Sequence, residues 1–200
     1  MRQPVGPPPI RVNREPTLPF PEVERPRFVH FFIGIDPGFL GALAIVDGSG
    51  RAQVHDAPVL TVQSKKGKTR REYDLNAVAR LLRRFQTLES TKFMSIAVFE
   101  KVGSRPDQGV ASMWSMGYGS GIWEMALTWA RIPYTRVTPL KWKNAMLEGV
   151  GHDKESSILR AQQLFPHVDL TTARGAFRDG RAEALLLAEY GRRAHAQGKL

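Results

Sequence analysis

Apolar and polar positions along the chain fall into blocks that read as strands first and helices later. Val29 to Ile35 is an apolar run that stops at Asp36-Pro37-Gly38, and Leu40 to Val46 resumes it before Asp47-Gly48-Ser49-Gly50, so the two predict a hairpin. Arg51 to Leu60 supplies a third strand. The stretch from Gln63 to Arg71, with Lys65, Lys66, Lys68, Arg70 and Arg71, is too polar for a core and is expected to be a basic loop. Asp74 then serves as an N-cap, and Leu75, Val78, Leu82 and Phe85 recur at helical spacing, which predicts a helix to about Glu89 with Arg80, Arg83 and Arg84 facing outward. Phe93 to Phe99 is the next strand, closed by Glu100. A long helix is expected from about Gln108 to Ala130, and a short strand from Ile132 to Val137. Helical signals dominate thereafter: Pro139 to Leu147, Lys154 to Leu164 with Pro166 as the stop, and Asp179 to Ala196. Strands in hairpin order followed by alternating helix and strand predict an α/β fold, a mixed five-stranded sheet with helices on both faces.

The domain so defined runs from 29 to 196. Residues 1–28 precede it with Pro4, Pro7, Pro8, Pro9, Pro16, Pro19, Pro21 and Pro26, a density that removes backbone donors and predicts a disordered, proline-rich arm. Composition adds a partner class: 29 Lys plus Arg against 19 Asp plus Glu give a net charge of +10, which favours a polyanion. The chain contains no cysteine, which excludes disulfide frameworks, thiolate catalysis and cysteine zinc sites. No apolar run approaches the roughly 20 residues that span a bilayer, and the first residues lack the pattern of a secretory signal. A soluble, intracellular protein with no membrane partner is expected, organelle targeting remaining open.

The candidate chemistry lies in the acids. Asp36 and Glu100 each follow an apolar strand directly, and the ends of strands in an open α/β sheet are where ligands gather. Asp179 and Glu183 stand four apart at the start of the last helix, hence on one face of it. Taken singly, Asp36 equally suits a turn with Gly38, and Asp179 equally suits an N-cap. Glu183 is harder to explain structurally, because Ala182, Ala184, Leu185, Leu186 and Leu187 surround it. If the four acids converge they need cations, since two like charges about 4 Å apart repel by roughly 4 kcal/mol at an effective dielectric of about 20. Hard oxygen ligands favour Mg²⁺, with Mn²⁺ as a substitute. A pair of such ions can clamp a phosphodiester, one activating water and the other stabilising the leaving oxygen.

These residues also carry a resemblance. GIDPG with FLGALAIVDG, then FEKV, PLKWKN with DKESS, and DGRAEALLLAEYGRR resemble RuvC-like Holliday-junction resolvases of the ribonuclease H-like superfamily, over about Ile33 to Arg193. The phage-type and chloroplast branch, whose closing helix carries Asp and Glu four apart, is the most similar; bacterial RuvC spaces its last two ligands three apart. Actin-like ATPases and sugar kinases open with a strand and turn like GIDPG, but they need a second lobe that this length does not hold.

The resemblance implies a Mg²⁺-dependent endodeoxyribonuclease that cuts four-way DNA junctions by paired symmetric nicks, with two ions held by Asp36, Glu100, Asp179 and Glu183. It implies that Lys143 and Lys154 stand near the scissile phosphate, Lys141 being a competitor for that role. It also implies a homodimer, for which Val110, Trp114, Tyr118, Ile122 and Ala126, with Gly117 and Gly121, offer an interface; core packing explains part of the same stripe. Lys65 to Arg71 and Arg105 are candidate backbone contacts, and the 103–108 loop or the aromatic helix after it a candidate for sequence preference. His152 and His195 have no metal-ligand spacing. Two other readings stay open: a nuclease of other branched DNA or of RNA–DNA hybrid, and a non-catalytic DNA-binding relative.

Overall fold

The computed structural model describes residues 30–63, 67–86, 94–103, 109–172 and 175–200. The proline-rich arm, Lys65, Lys66 and Arg105 lie outside the described residues.

Three antiparallel strands open the fold: β1 (His30–Ile35), β2 (Ala42–Asp47) and β3 (Ala52–Asp56). The expected third strand does not continue to Leu60. Pro58 has no donor for the ladder and breaks it, and the chain leaves the main sheet as β4 (Val59–Gln63), which pairs with β5 (Thr69–Tyr73) in a separate two-stranded arm. The expected basic loop is therefore in part a strand. Thr69, Arg70 and Arg71 are exposed, so backbone pairing rather than burial of side chains makes β5 regular.

Asp74 caps α1 (Leu75–Arg83) by accepting from the Ala77 amide at 2.9 Å. That helix is shorter than predicted, ending well before Glu89, while Arg80, Arg83 and Arg84 are exposed as expected. The chain returns as β6 (Met94–Glu100), parallel to β1, then α2 (Val110–Trp129) and β7 (Tyr134–Val137), parallel to β6. Helices α3 (Pro139–Met146), α4 (Lys154–Leu164) and α5 (Asp179–Ala196) complete the element order. Thr138 and Asp153 cap α3 and α4 through their side chains.

The main sheet is five-stranded and mixed, in the order β3-β2-β1-β6-β7. Side-chain alternation divides its core. Ile33, Ile35, Leu43, Ile45 and Phe99 pack with Trp123 and Leu127 beneath α1 and α2, whereas Ala42, Ala44, Val46 and Val98 face α3, α4 and α5. Helix α5 lies between the sheet and α4, so it is apolar nearly all round, with Leu185, Leu186 and Leu187 all buried. Burial of each is worth about 2 kcal/mol, enough together to hold a helix whose first turns carry acids that repel.

The seam between α5 and the sheet is built from small residues. A Cβ at Gly34 would stand 2.0 Å from the Ala184 carbonyl oxygen and 2.3 Å from the Ala188 nitrogen. Gly191 lies against Val98 in the same seam.

Candidate active site

Strand β1 ends at Ile35, and the next residues turn sharply: the Asp36 carboxylate accepts from the Gly38 amide at 3.2 Å, and the Gly41 amide bonds the Gly38 carbonyl at 2.9 Å. Three glycines and a tyrosine lock that turn. A Cβ at Gly41 would meet the Asp36 carbonyl oxygen at 2.1 Å, one at Gly119 on α2 would meet the Pro37 oxygen at 2.2 Å, and one at Gly180 on α5 would come within 2.6 Å of the Leu40 oxygen. The buried Tyr73 hydroxyl donates to the Pro37 carbonyl at 2.7 Å. Elements from both faces of the sheet thus close on one turn.

The parallel register Ile35↔Phe99 puts Glu100 next to Asp36 on the neighbouring strand. Gly180 brings the first turn of α5 onto the same spot, a Cβ there standing 2.9 Å from Asp36 Oδ2. The half-buried Asp36 feels the consequence. Burial first, and then the charge of Glu183, push its carboxyl up to about 7; Glu100 and Asp179 add to the rise, and the Gly38 amide opposes it. The four acids expected to converge are brought into one electrostatic neighbourhood from two strand ends and one helix.

Lysines neutralise part of it. Lys143 on α3 donates from Nζ to Glu183 Oε1 at 3.0 Å and to the His152 carbonyl at 3.2 Å. Lys154, at the start of α4, pairs with Asp179. Burial raises the Asp179 carboxyl, but the Lys154 hydrogen bond and charge outweigh it and hold the group below the usual carboxylate range, while the same bond raises the Lys154 ammonium. Lys141, the expected competitor, is exposed on α3. The buried Trp142 packs in the core and its indole nitrogen donates to Glu100 Oε2 at 3.0 Å, so the same residue also orients an acid.

Among the described residues no three His, Asp or Glu side chains stand close enough to form a ready metal cage. The donor set still suits divalent cations of the magnesium class. It consists of hard carboxylate oxygens with no sulfur, around a half-buried acid raised first by burial and then by the neighbouring acids, and two of its members are held by ammonium groups. His152 is exposed, and His195, near the far end of α5 from Asp179 and Glu183, packs on Phe32 at 5.6 Å.

Arg181 was not singled out by the sequence, although it lies within DGRAEALL. Its guanidinium grips Asp56 at the end of β3 with two hydrogen bonds of 2.6 and 3.0 Å and reaches the carbonyls of Asp169 and Thr171. Arg178 adds a contact to Asp56 at 3.5 Å. No signal links residues 125 apart in the chain, so this brace on the start of α5 is visible only in three dimensions. The Arg181 hydrogen bonds hold the Asp56 carboxyl below the usual range. A carboxylate with a lowered folded pKa contributes its stability fully above the unfolded value of about 4 and loses it as pH falls through the folded value. Arg181→Ala is expected to cost about 2 kcal/mol in urea unfolding at pH 7. The gap from the parent should shrink below pH 4, and a gap of constant size down to pH 2 would refute the assignment.

On α2, Trp114 and Tyr118 are exposed and stacked on each other, with centroids 5.0 Å apart. Ile122 and Ala126 are half-buried, so the expected interface stripe is part surface and part core. Leu75, Gly117, Gly121, Met125 and Trp129 line an apolar groove of about 540 Å³ between α1 and α2. No helix among the described residues is long and apolar enough to cross a membrane.

No protein-family model matches the sequence, and no curated protein matches it significantly. Solved structures do match in three dimensions. Thermus thermophilus RuvC in complex with a Holliday junction substrate superposes with a TM-score of 0.52 at 15% identity, over 86% of this chain and 98% of that one. A second Thermus thermophilus RuvC structure gives 0.51 at 18% identity with the same coverage. With β1, β6 and α5 framing one carboxylate-rich turn on a sheet of order β3-β2-β1-β6-β7, the chain has the ribonuclease H-like fold of the RuvC Holliday junction resolvases.

Proposed function

We propose that this protein is a Holliday-junction resolving endonuclease that hydrolyses phosphodiester bonds by paired nicks in four-way DNA junctions. The observation that carries the reading is the gathering of Asp36, Glu100, Asp179 and Glu183 around one locked turn, with Lys143 and Lys154 against them. The fold shared with a RuvC solved on a Holliday junction supports the choice of substrate, and so does the net charge of +10.

In this reading Asp36, Glu100, Asp179 and Glu183 would hold a pair of Mg²⁺ ions, or Mn²⁺ in their place. Bound there, the cations supply an activated water and charge neutralisation at the phosphate. Trp142 keeps Glu100 turned toward the site, and the Asp36 turn is held rigid by Tyr73 and Gly119. Lys143 and Lys154, which pair with Glu183 and Asp179, would stand beside the phosphate and offset its developing negative charge.

Paired nicks call for two sites related by symmetry, hence a homodimer. The apolar groove between α1 and α2 suits a second copy, because Gly117 and Gly121 let another helix approach closely.

The deciding experiment offers a synthetic mobile four-way junction, a replication fork and an RNA–DNA hybrid to the full chain, with and without Mg²⁺. Symmetric nicks in opposite arms of the junction alone, and a scattering mass twice the 22.4 kDa of the chain, are the expected results. Preferential cutting of the hybrid, or no cutting of the junction with Mg²⁺ or Mn²⁺, would overturn the reading.

A further inference from the structure

A second cleft, of about 750 Å³, lies between the β4–β5 arm and the first half of α2. Its wall on the arm carries Thr69 and Arg71, its wall on the helix carries Ser115 and Trp114, and Phe39 closes one side. Trp114 is 64% exposed although its ring lies nearly parallel to that of Tyr118, 10° apart. An aromatic pair held flat and left open to solvent gives up apolar burial, which is unusual without a ligand.

Phe39 links the cleft to the carboxylate turn. Phe39 comes three residues after Asp36, and its ring stands 5.1 Å from Tyr73 and 6.5 Å from Tyr118. Its chemistry differs from that of the groove between α1 and α2, because a cationic strand forms one wall. Arg70 pairs with Glu72 at 2.6 Å, and Arg71 is exposed beside it. A flat π face next to guanidinium groups is what an unstacked nucleotide requires: the ring stacks on the base and the cation meets the phosphate.

We propose that this cleft is a nucleobase subsite, in which Trp114 stacks a base unpaired near the point of strand exchange and Arg71 contacts the phosphate of that strand. The proposal rests on the junction reading, since bases within an intact duplex are already stacked and out of reach. It makes Trp114 a residue that selects and positions DNA, and it gives the β4–β5 arm a function.

Its test needs no cleavage. The full chain is bound, in chelator, to a four-way junction carrying 5-iodouracil beside the exchange point, irradiated, and digested for peptide mapping. The expected crosslink falls on the peptide containing Trp114, and the same label in a plain duplex gives none. Trp114→Ala should lose the crosslink and weaken junction binding about tenfold, within the range that one base–aromatic stack accounts for, while Trp114→Phe retains most of both. Arg71→Gln should lower the slope of log affinity against log salt by about one phosphate contact.

A crosslink confined to other peptides, or Trp114→Ala binding within twofold of the parent, would overturn the proposal and leave the nuclease reading intact. So would a change from dimer to monomer in Trp114→Ala, because the ring would then belong to the subunit contact. Failure of the parent chain to bind the junction at all would count against the junction reading, and the subsite would fall with it.

Discussion

Asp36→Asn is expected to lower the rate of junction cleavage by on the order of 10² to 10³-fold or more, with junction affinity within a few fold of the parent. The Asp36 carboxylate sits where the turn after β1, the end of β6 and the first turn of α5 meet, and three other acids act on it. An amide keeps the size of the group and can still accept from Gly38, so the turn survives. What is lost is the charge of the acid at the centre of the set. The same change relieves repulsion among the four, so chemical denaturation without divalent ions should show the variant at least as stable as the parent. Single-turnover cleavage of a labelled junction, run beside a gel-shift titration in chelator, separates chemistry from binding. Unchanged cleavage would remove Asp36 from the chemistry, and lost binding would assign it to the fold instead.

The second large effect is structural. Gly34→Val is expected to destabilise the protein by about 3 kcal/mol or more, a fall in Tm of roughly 6–12 °C for a chain of this length. Even a bare Cβ at this position would fall 2.0 Å from the Ala184 oxygen and 2.3 Å from the Ala188 nitrogen, and both are backbone atoms of a helix that has no free direction in which to retreat. On its far side α5 is packed by α4, with Ala161 and Phe165 in the same core. The shift that the substitution forces would move Asp179 and Glu183 away from Asp36, so activity should fall even where the protein remains folded. Thermal unfolding followed by circular dichroism gives the first number. A Tm within 2 °C of the parent would mean that the seam is looser than the distances indicate.

What the sequence disclosed and what it concealed divide along a physical line. Strands β1, β2 and β6 are apolar on both faces because helices cover both sides of the sheet, and such runs stand out from their polar surroundings. The acids at their ends were visible for the same reason, as the first charges after buried runs, and the i, i+4 pair on α5 was visible as acids within a leucine-rich helix. Strand β5 was not visible. Thr-Arg-Arg-Glu-Tyr has no apolar alternation, and its regularity comes from a partner strand whose register only the fold supplies. The start of α1 at Asp74 was legible but its end was not, Arg83 in place of about Glu89, and Leu75, counted in the apolar stripe, is 57% exposed and borders the groove instead. The ion pairs Lys143–Glu183 and Lys154–Asp179 and the Arg181–Asp56 brace join residues between 25 and 125 positions apart, for which one chain read alone carries no signal. In Gly180 the sequence held a clue that needed the structure to be read: its missing side chain is what allows α5 to approach the Asp36 turn.

If the proposed cations bind here, the two ammonium groups seated on Glu183 and Asp179 make their uptake an exchange. A sodium or potassium ion carries no more charge than the group it would evict and lacks that group's tether, so it has no advantage there. Only an ion with twice the charge has one, and valence would be discriminated before size or geometry is tested. A centre built this way would stay folded when empty, at the cost of a weaker hold on the metal it would select.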